Sequence, residues 1–288
     1  MSEFGWSSTT DEVLAGKDLS GRTVFITGAN SGLGQETARA MAARGAEVIM
    51  AGRDQGKLDE AVAAIHAEHP KAQLETITLD LTSLENIRAA TSRARQRFQK
   101  IDILINNAGV MATPFQHTHD GFEMQIGTNH FGHFALTGEL FPLIERGHLK
   151  RIVNLSSRGH HFAPMDFDDP HYERRAYDPW IAYGNSKTAN ILFSVGLELS
   201  FGRLWAMRRQ VFGIGGLQVA LSALAIGELV RQILGDLGGT VEVGEMAVRE
   251  EARGLLLPDL EGVDTADVAG EATAVFITAG LGTEHRPR

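Results

Sequence analysis

The chain contains no cysteine. That excludes disulfides, thiolate metal sites and a cysteine nucleophile, and it agrees with a reducing, cytoplasmic setting. A basic excess is missing too. The 27 Lys and Arg stand against 36 Asp and Glu, for a formal net charge of -9, so nucleic-acid binding, which needs a basic face, is not expected. Residues 1–20 carry acids and hydroxyls but no basic flank followed by an apolar run, and no cleaved signal peptide is expected. No repeat or low-complexity tract interrupts the chain. Long apolar runs are nearly absent as well. The one candidate, Val211–Val230, approaches the ~20 residues of a membrane span. Gln218, Ser222, Glu228 and several glycines break it, and membrane insertion is not expected.

What the chain does have is the composition of a globular core, 43% hydrophobic and 22% charged over 288 residues. One α/β domain is expected: an N-terminal extension over residues 1–20, a core over 21–200 and an atypical C-terminal part over 201–288. Short apolar runs alternate with amphipathic stretches through the first two-thirds, the pattern of repeated βαβ units. Strands are expected at Thr23–Thr27, Glu47–Ala51, Leu74–Leu79, Ile101–Asn106 and Arg151–Leu155. The helices between and after them are expected at Gly34–Arg44, Lys57–His69, Leu84–Phe98, Phe122–Leu143 (ending near Pro142) and Ile181–Ser200. Uniformly apolar strands joined by right-handed crossovers give a doubly wound, mostly parallel sheet, a Rossmann fold. Leu217–Leu224 and Ala274–Ala279 read as a sixth and a seventh strand.

Between the first strand and the helix after it stands Thr27-Gly28-Ala29-Asn30-Ser31-Gly32-Leu33-Gly34. Glycines there allow a tight turn and close approach to a pyrophosphate, and the helix presents free N–H groups to that anion. The spacing Thr-Gly-x-x-x-Gly-x-Gly resembles the short-chain dehydrogenase/reductase family. Asp80-Leu81 matches that family's adenine-contacting acid, and Asn106-Asn107-Ala108-Gly109 matches its Asn-Asn-Ala-Gly element. Taken singly, Asp80 suits a helix N-cap equally well, and the asparagines suit a turn.

The second strand ends Ala51-Gly52-Arg53-Asp54. Arg53 can pair bidentately with a 2′-phosphate, and Asp54 falls one residue late for an acid binding the ribose hydroxyls. NADP is therefore expected over NAD. Tyr183 and Lys187 are spaced to share one helix face, where an ammonium favours the phenolate. Ser156-Ser157 ends the fifth strand, on the sheet edge where such folds bind ligands, and Ser156 can donate to a carbonyl oxygen.

The resemblance implies Ser156, Tyr183 and Lys187 as the catalytic set, with Asn129 as a fourth member. In the family Lys187 also bonds the nicotinamide ribose. The strings Asn129-His130-Phe131-Gly132-His133-Phe134, Ser156-Ser157-Arg158-Gly159-His160 and Tyr183-Gly184-Asn185-Ser186-Lys187 are similar to the retinol-dehydrogenase-like branch. The implied function is an NADP-dependent oxidoreductase moving a hydride between the nicotinamide and an alcohol or carbonyl. Tyr183 is its acid/base, lipophilic alcohols, aldehydes and ketones fall in its range, and a homo-oligomer is expected. Histidines 130, 133, 160 and 161 lack a tight ligand spacing, so no metal is expected.

After Glu198 the pattern breaks. The family runs into a sixth strand ending in Pro-Gly, whereas Ile226-Gly227 stands here, and Leu204–Gly213 with Gly216–Val219 resembles a membrane segment of potassium-efflux antiporters. The alternative function is accordingly a catalytically incompetent cofactor-binding protein with a replaced substrate lid.

Overall fold

The strands form because runs of β-branched and other apolar residues are sealed on both faces, and the helices because their apolar stripes supply that seal. The structure, a computed structural model, describes residues 8–206 and 274–280. Strands β1 (Thr23–Thr27), β2 (Glu47–Gly52), β3 (Gln73–Thr78), β4 (Ile103–Asn106), β5 (Arg151–Ser157) and β6 (Ala274–Gly280) make one sheet. Its order is β3-β2-β1-β4-β5-β6. The first five are parallel, and β6 runs antiparallel to β5, with Ser156 opposite Val275.

Alternation along β1 shows the two layers. Phe25 joins Ile49, Ile77, Leu104 and Ile152 on one face, while Val24 and Ile26 join Val48, Met50 and Ile105 on the other. Burying one such side chain stabilises by about 1.5–3 kcal/mol. The first face is covered by α4 (Leu84–Arg97) and α6 (Gly132–Arg146), the second by α2 (Gly32–Ala42) and α3 (Gln55–Glu68). Helix α7 (Pro179–Ala206) packs on β5. Within the N-terminal extension, α1 (Thr10–Val13) docks on α2 through the Arg39–Asp11 ion pair at 3.1 Å.

Two sequence expectations need correction. Pro142 does not end its helix, because α6 continues to Arg146. A proline one turn from the end forfeits a single ladder bond, and buried Leu143 and Ile144 hold that turn on the core. The expected helix over Phe122–Leu143 is also not continuous. It begins as a short turn, α5 (Met124–Ile126), passes through a π turn at Gly127–Phe131, and only then becomes α6. The seventh strand, expected at Ala274–Ala279, runs Ala274–Gly280 and lies directly beside β5. Leu217–Leu224, Ile226-Gly227 and the Val211–Val230 stretch lie outside the described residues. Among the described residues no helix is long and apolar enough to cross a membrane.

Candidate active site

Strand order reverses between β1 and β4, and crevices that take ligands open at the carboxyl ends of such a pair. Two loops meet there. Gly28 adopts φ +66°, a left-handed backbone that only glycine takes freely, and a Cβ on it would sit 3.0 Å from the Ala108 Cα. Gly34 is packed harder, since a Cβ there would fall 2.3 Å from the Gly28 carbonyl oxygen and 2.5 Å from Asn107 Nδ2. Asn107 Nδ2 donates to the Thr27 carbonyl at 2.8 Å, and the Asn107 and Ala108 amides donate to Thr27 Oγ1 at 2.9 and 3.0 Å. These contacts clamp the turn after β1 to the turn after β4.

Ser31 makes no side-chain cap on α2, so the first amides of that helix stay open toward the turn. Exposed Ser31, Gly32 and Leu33 form its outer lip. Asn30 lies over the end of β2, where a Cβ on Gly52 would be 2.9 Å from its Oδ1. Next to it Arg53 is exposed, with no hydrogen-bond or ion-pair partner among the described residues. Asp54 is otherwise engaged, because its Oδ1 caps α3 by accepting from the Lys57 amide at 3.1 Å. Asp80 does not cap α4, whose N-cap is Ser83. Its Oδ1 accepts from the Thr82 amide and hydroxyl at 2.9 and 2.8 Å, and its other oxygen has no partner among the described residues. Leu81 beside it is buried.

Across the crevice, a cavity of about 170 Å³ is lined by Leu33, Asn107, Gly109, Val110, Met111, Leu155, Ser156, Ser157, Tyr183 and Lys187. Glycine 159 shapes one wall: a Cβ there would lie 2.6 Å from Tyr183 Cε1, so only glycine lets the ring lie against the 3-10 turn at Arg158–His161. Ser157 lines this cavity beside Tyr183, and its Oγ accepts from the Gly159 amide at 3.1 Å. Ser156, the serine singled out in the sequence, lines the same cavity and donates to the Lys187 carbonyl at 2.9 Å.

Burial pushes the Tyr183 hydroxyl up, and the nearby Ser157 side chain pulls it partly back. The expected lowering by the lysine is not what the structure shows. Lys187 Nζ lies 5.5 Å from the centre of the Tyr183 ring and donates to the Leu155 carbonyl at 3.2 Å, its one hydrogen bond among the described residues. Burial pushes this ammonium down to about 8. A buried ammonium with one of three donors used is a group awaiting a polar ligand. Together with the glycine turn and the open helix amides, it fits a dinucleotide carrying a ribose and a pyrophosphate.

Asn129, fully buried in the π turn, braces the wall. Its Oδ1 accepts from the Val110 amide at 2.8 Å, and its Nδ2 donates to the Val110 carbonyl and Ser186 Oγ, both at 2.9 Å. Nearby, His130 is buried against Phe131, Phe134 and Phe193, and His133 is buried between Asn129 and Thr27. Burial pushes both imidazoles down to about 4. His160 and His161 stack on each other at 3.9 Å, away from that pair. Among the described residues no cluster of three His, Asp or Glu could hold a metal ion.

The two buried histidines give the fold an acid limit. A folded pKa below the unfolded 6.5 means that the native state binds fewer protons. Stability is then complete above about pH 6.5 and is lost as pH falls toward 4, by on the order of 3 kcal/mol per histidine. His161 and His171, also lowered chiefly by burial, act in the same sense, whereas Glu123, raised by burial, opposes them. The thermal midpoint should be nearly flat between pH 7 and pH 8 and clearly lower at pH 5, and His130→Phe should flatten that slope. Equal midpoints at pH 5 and pH 8 would contradict the assignment.

A doubly wound sheet whose switch point carries a glycine turn, with a tyrosine and a lysine four residues apart on the wall opposite, defines a nucleotide-dependent dehydrogenase scaffold. The chain belongs to the short-chain dehydrogenase family, whose model matches residues 22–168. It is 43% identical over 180 residues to human retinol dehydrogenase 13, covering 62% of this chain and 54% of that one. It is 46% identical over 190 residues to a "Probable oxidoreductase" of Streptomyces lividans, covering 66% of this chain and 61% of that one. The crystal structure of a protein from Mycobacterium Paratuberculosis superposes with a TM-score of 0.57 at 42% identity, over 65% of each chain. The chain thus spans little more than half the length of the curated relatives it matches.

Proposed function

We propose that this protein is an NADP-dependent oxidoreductase that interconverts an alcohol and the corresponding aldehyde or ketone, with Tyr183 as the acid/base. The observation that carries this reading is the single cavity shared by Ser157, Tyr183, Lys187 and the glycine-turn residue Leu33. A nicotinamide dinucleotide, when bound, supplies or accepts the hydride. Thr27, Gly28, Asn30, Ser31, Gly32, Leu33 and Gly34 would hold its pyrophosphate side, Asp80 and Leu81 its adenine, and Asn107, Ala108 and Gly109 the far wall.

The chain's own groups manage the proton. Tyr183 Oη gives its proton to the substrate oxygen during reduction and recovers it during oxidation. Ser157, which shares the cavity with Tyr183, holds the substrate oxygen by donating to it as charge develops. Ser156, on the same cavity, spends its hydroxyl proton on the Lys187 carbonyl. Lys187, pushed down to about 8, is mostly charged near neutrality and keeps two N–H donors for the ribose.

The apolar cavity rim at Leu33 and Met111, both exposed, and the name of the human relative support a lipophilic substrate. A homo-oligomer and a cytoplasmic location accompany this reading. Consumption of NADPH with a panel of aliphatic and aromatic aldehydes and ketones tests it. Cofactor binding without turnover on any of them would overturn it in favour of a non-catalytic binding protein.

The cofactor choice rests on Arg53 being exposed and unpaired while Asp54 is tied into its helix cap. A charge-assisted hydrogen bond contributes about 1.5–3 kcal/mol, so Arg53→Ala should weaken NADP binding by roughly 10- to 100-fold. NAD binding should barely change. Equal losses for both cofactors, measured as dissociation constants, would remove the arginine from 2′-phosphate recognition.

A further inference from the structure

Thr27 begins the glycine turn, and Asn129 braces the catalytic wall from the π turn. One buried side chain joins them. His133, on the first turn of α6, is 1% exposed. Its Nδ1 lies 2.9 Å from the Asn129 carbonyl oxygen, and its Nε2 lies 2.8 Å from Thr27 Oγ1.

The chemistry of the partners fixes every proton. A carbonyl oxygen only accepts, so Nδ1 carries the hydrogen. In the neutral ring Nε2 is then the acceptor, and the Thr27 hydroxyl must donate to it. That leaves the lone pairs of Thr27 Oγ1 for the two amides that reach it, from Asn107 at 2.9 Å and Ala108 at 3.0 Å. The chain of bonds runs from the turn after β4, through the turn after β1, to the π turn, the Thr27 proton going to Nε2 at 2.8 Å rather than to the Ile105 carbonyl at 3.5 Å. Deep burial keeps the imidazole neutral, with its pKa pushed down to about 4, so the pattern does not change near neutral pH.

We infer that His133 is a positioning residue, held as its Nδ1–H tautomer, which sets the dinucleotide turn at Thr27 and the catalytic wall at Asn129 with one ring. The consequence for binding and turnover rests on the functional reading above; the tautomer does not. Neither partner has slack. Asn129 spends its whole side-chain amide on Val110 and Ser186, and Thr27 Oγ1 is the point where both loops converge. A displaced ring would move the two halves of the crevice independently.

Two substitutions separate the halves. His133→Asn keeps an amide donor near the Asn129 carbonyl but falls short of Thr27. His133→Gln reaches Thr27 but gives up the Nδ1 position. With one neutral hydrogen bond lost in each case, the expected change is about five- to tenfold. In His133→Asn it should fall mainly on the NADPH dissociation constant, read by fluorescence titration of the full chain. In His133→Gln it should fall mainly on kcat, with KM little altered.

Nitrogen-15 NMR of labelled wild-type protein reads the tautomer directly and does not depend on either variant folding. An Nδ1–H ring that persists from pH 8 to pH 5 is the expected result. An Nε2–H ring overturns the inference. So does a pair of folded variants that lose thermal stability while Kd and kcat stay within twofold of wild type. Wild-type protein that binds no dinucleotide would instead remove the functional reading, and the NMR result would still decide the hydrogen-bond assignment.

Discussion

Tyr183→Phe should bind NADPH as tightly as the wild type and turn over about a thousandfold more slowly. The substitution removes one oxygen from a wall that is otherwise apolar ring, so the cavity keeps its shape. Gly159 stays packed against the same ring edge. What disappears is the proton that must reach the substrate oxygen, and positioned acid–base groups contribute about 10²–10⁴-fold. Ser157→Ala should follow at roughly 100-fold, the usual loss for one donor to a developing oxyanion. Ser156→Ala should cost far less, because its hydroxyl is spent on the Lys187 carbonyl. Single-turnover rates with saturating cofactor would order the three. Wild-type turnover in Tyr183→Phe would end the acid/base assignment, and a larger loss at Ser156 than at Ser157 would reverse the serine roles.

Gly34→Ala should damage cofactor binding without touching the catalytic wall. The new methyl would need the space of the Gly28 carbonyl oxygen, 2.3 Å away, and of Asn107 Nδ2, 2.5 Å away. Neither is the free end of a flexible side chain, so the turn itself must move. Overpacking of this kind costs about 1–3 kcal/mol of stability. Losing two turn-amide contacts to an anion at about 1 kcal/mol each would weaken the dinucleotide roughly thirtyfold. Gly138→Ala is the matched control, since nothing lies within 4 Å of a Cβ there. Its melting point and Kd should stay at wild-type values. A Gly34→Ala protein with unchanged Kd would mean that the tight Gly28–Gly34 packing does not shape the cradle.

The sheet was legible because its central strands β1, β2 and β4 are buried on both faces, a pattern with few other solutions. Thr23–Thr27 is a strand with the expected bounds, and the strands at Glu47 and Arg151 start where expected. The glycine turn was legible for a different reason. Its residues are defined by what cannot be there, a Cβ at Gly28 or Gly34, and that constraint is local in sequence.

Three features were not legible. The π turn at Gly127–Phe131 has no period of its own; it arises where buried Asn129 is turned to meet Val110 and Ser186, contacts set by distant segments. What separates the two adjacent serines is a contact made by α7, whose Lys187 carbonyl takes the Ser156 hydroxyl while both serines line the cavity. His133 is hidden in the same way, because only the fold brings Thr27 to its Nε2. A sequence signal did exist for the serine: Ser157 stands two residues before Gly159, the glycine that makes room for the Tyr183 ring.

The antiparallel pairing of β6 with β5 also bears on how the chain is made. Residues 157 and 274 must meet to close that edge, and at the usual ~5–20 residues per second the intervening stretch takes on the order of ten seconds to synthesise. During that interval the strand bearing both serines presents an unpaired border, which is the kind of surface that recruits other strands. Newly made protein should therefore be most prone to aggregate after the nucleotide-binding half has folded and before residue 280 has emerged. Slower translation across residues 157–274 should lengthen this exposure and lower the soluble yield.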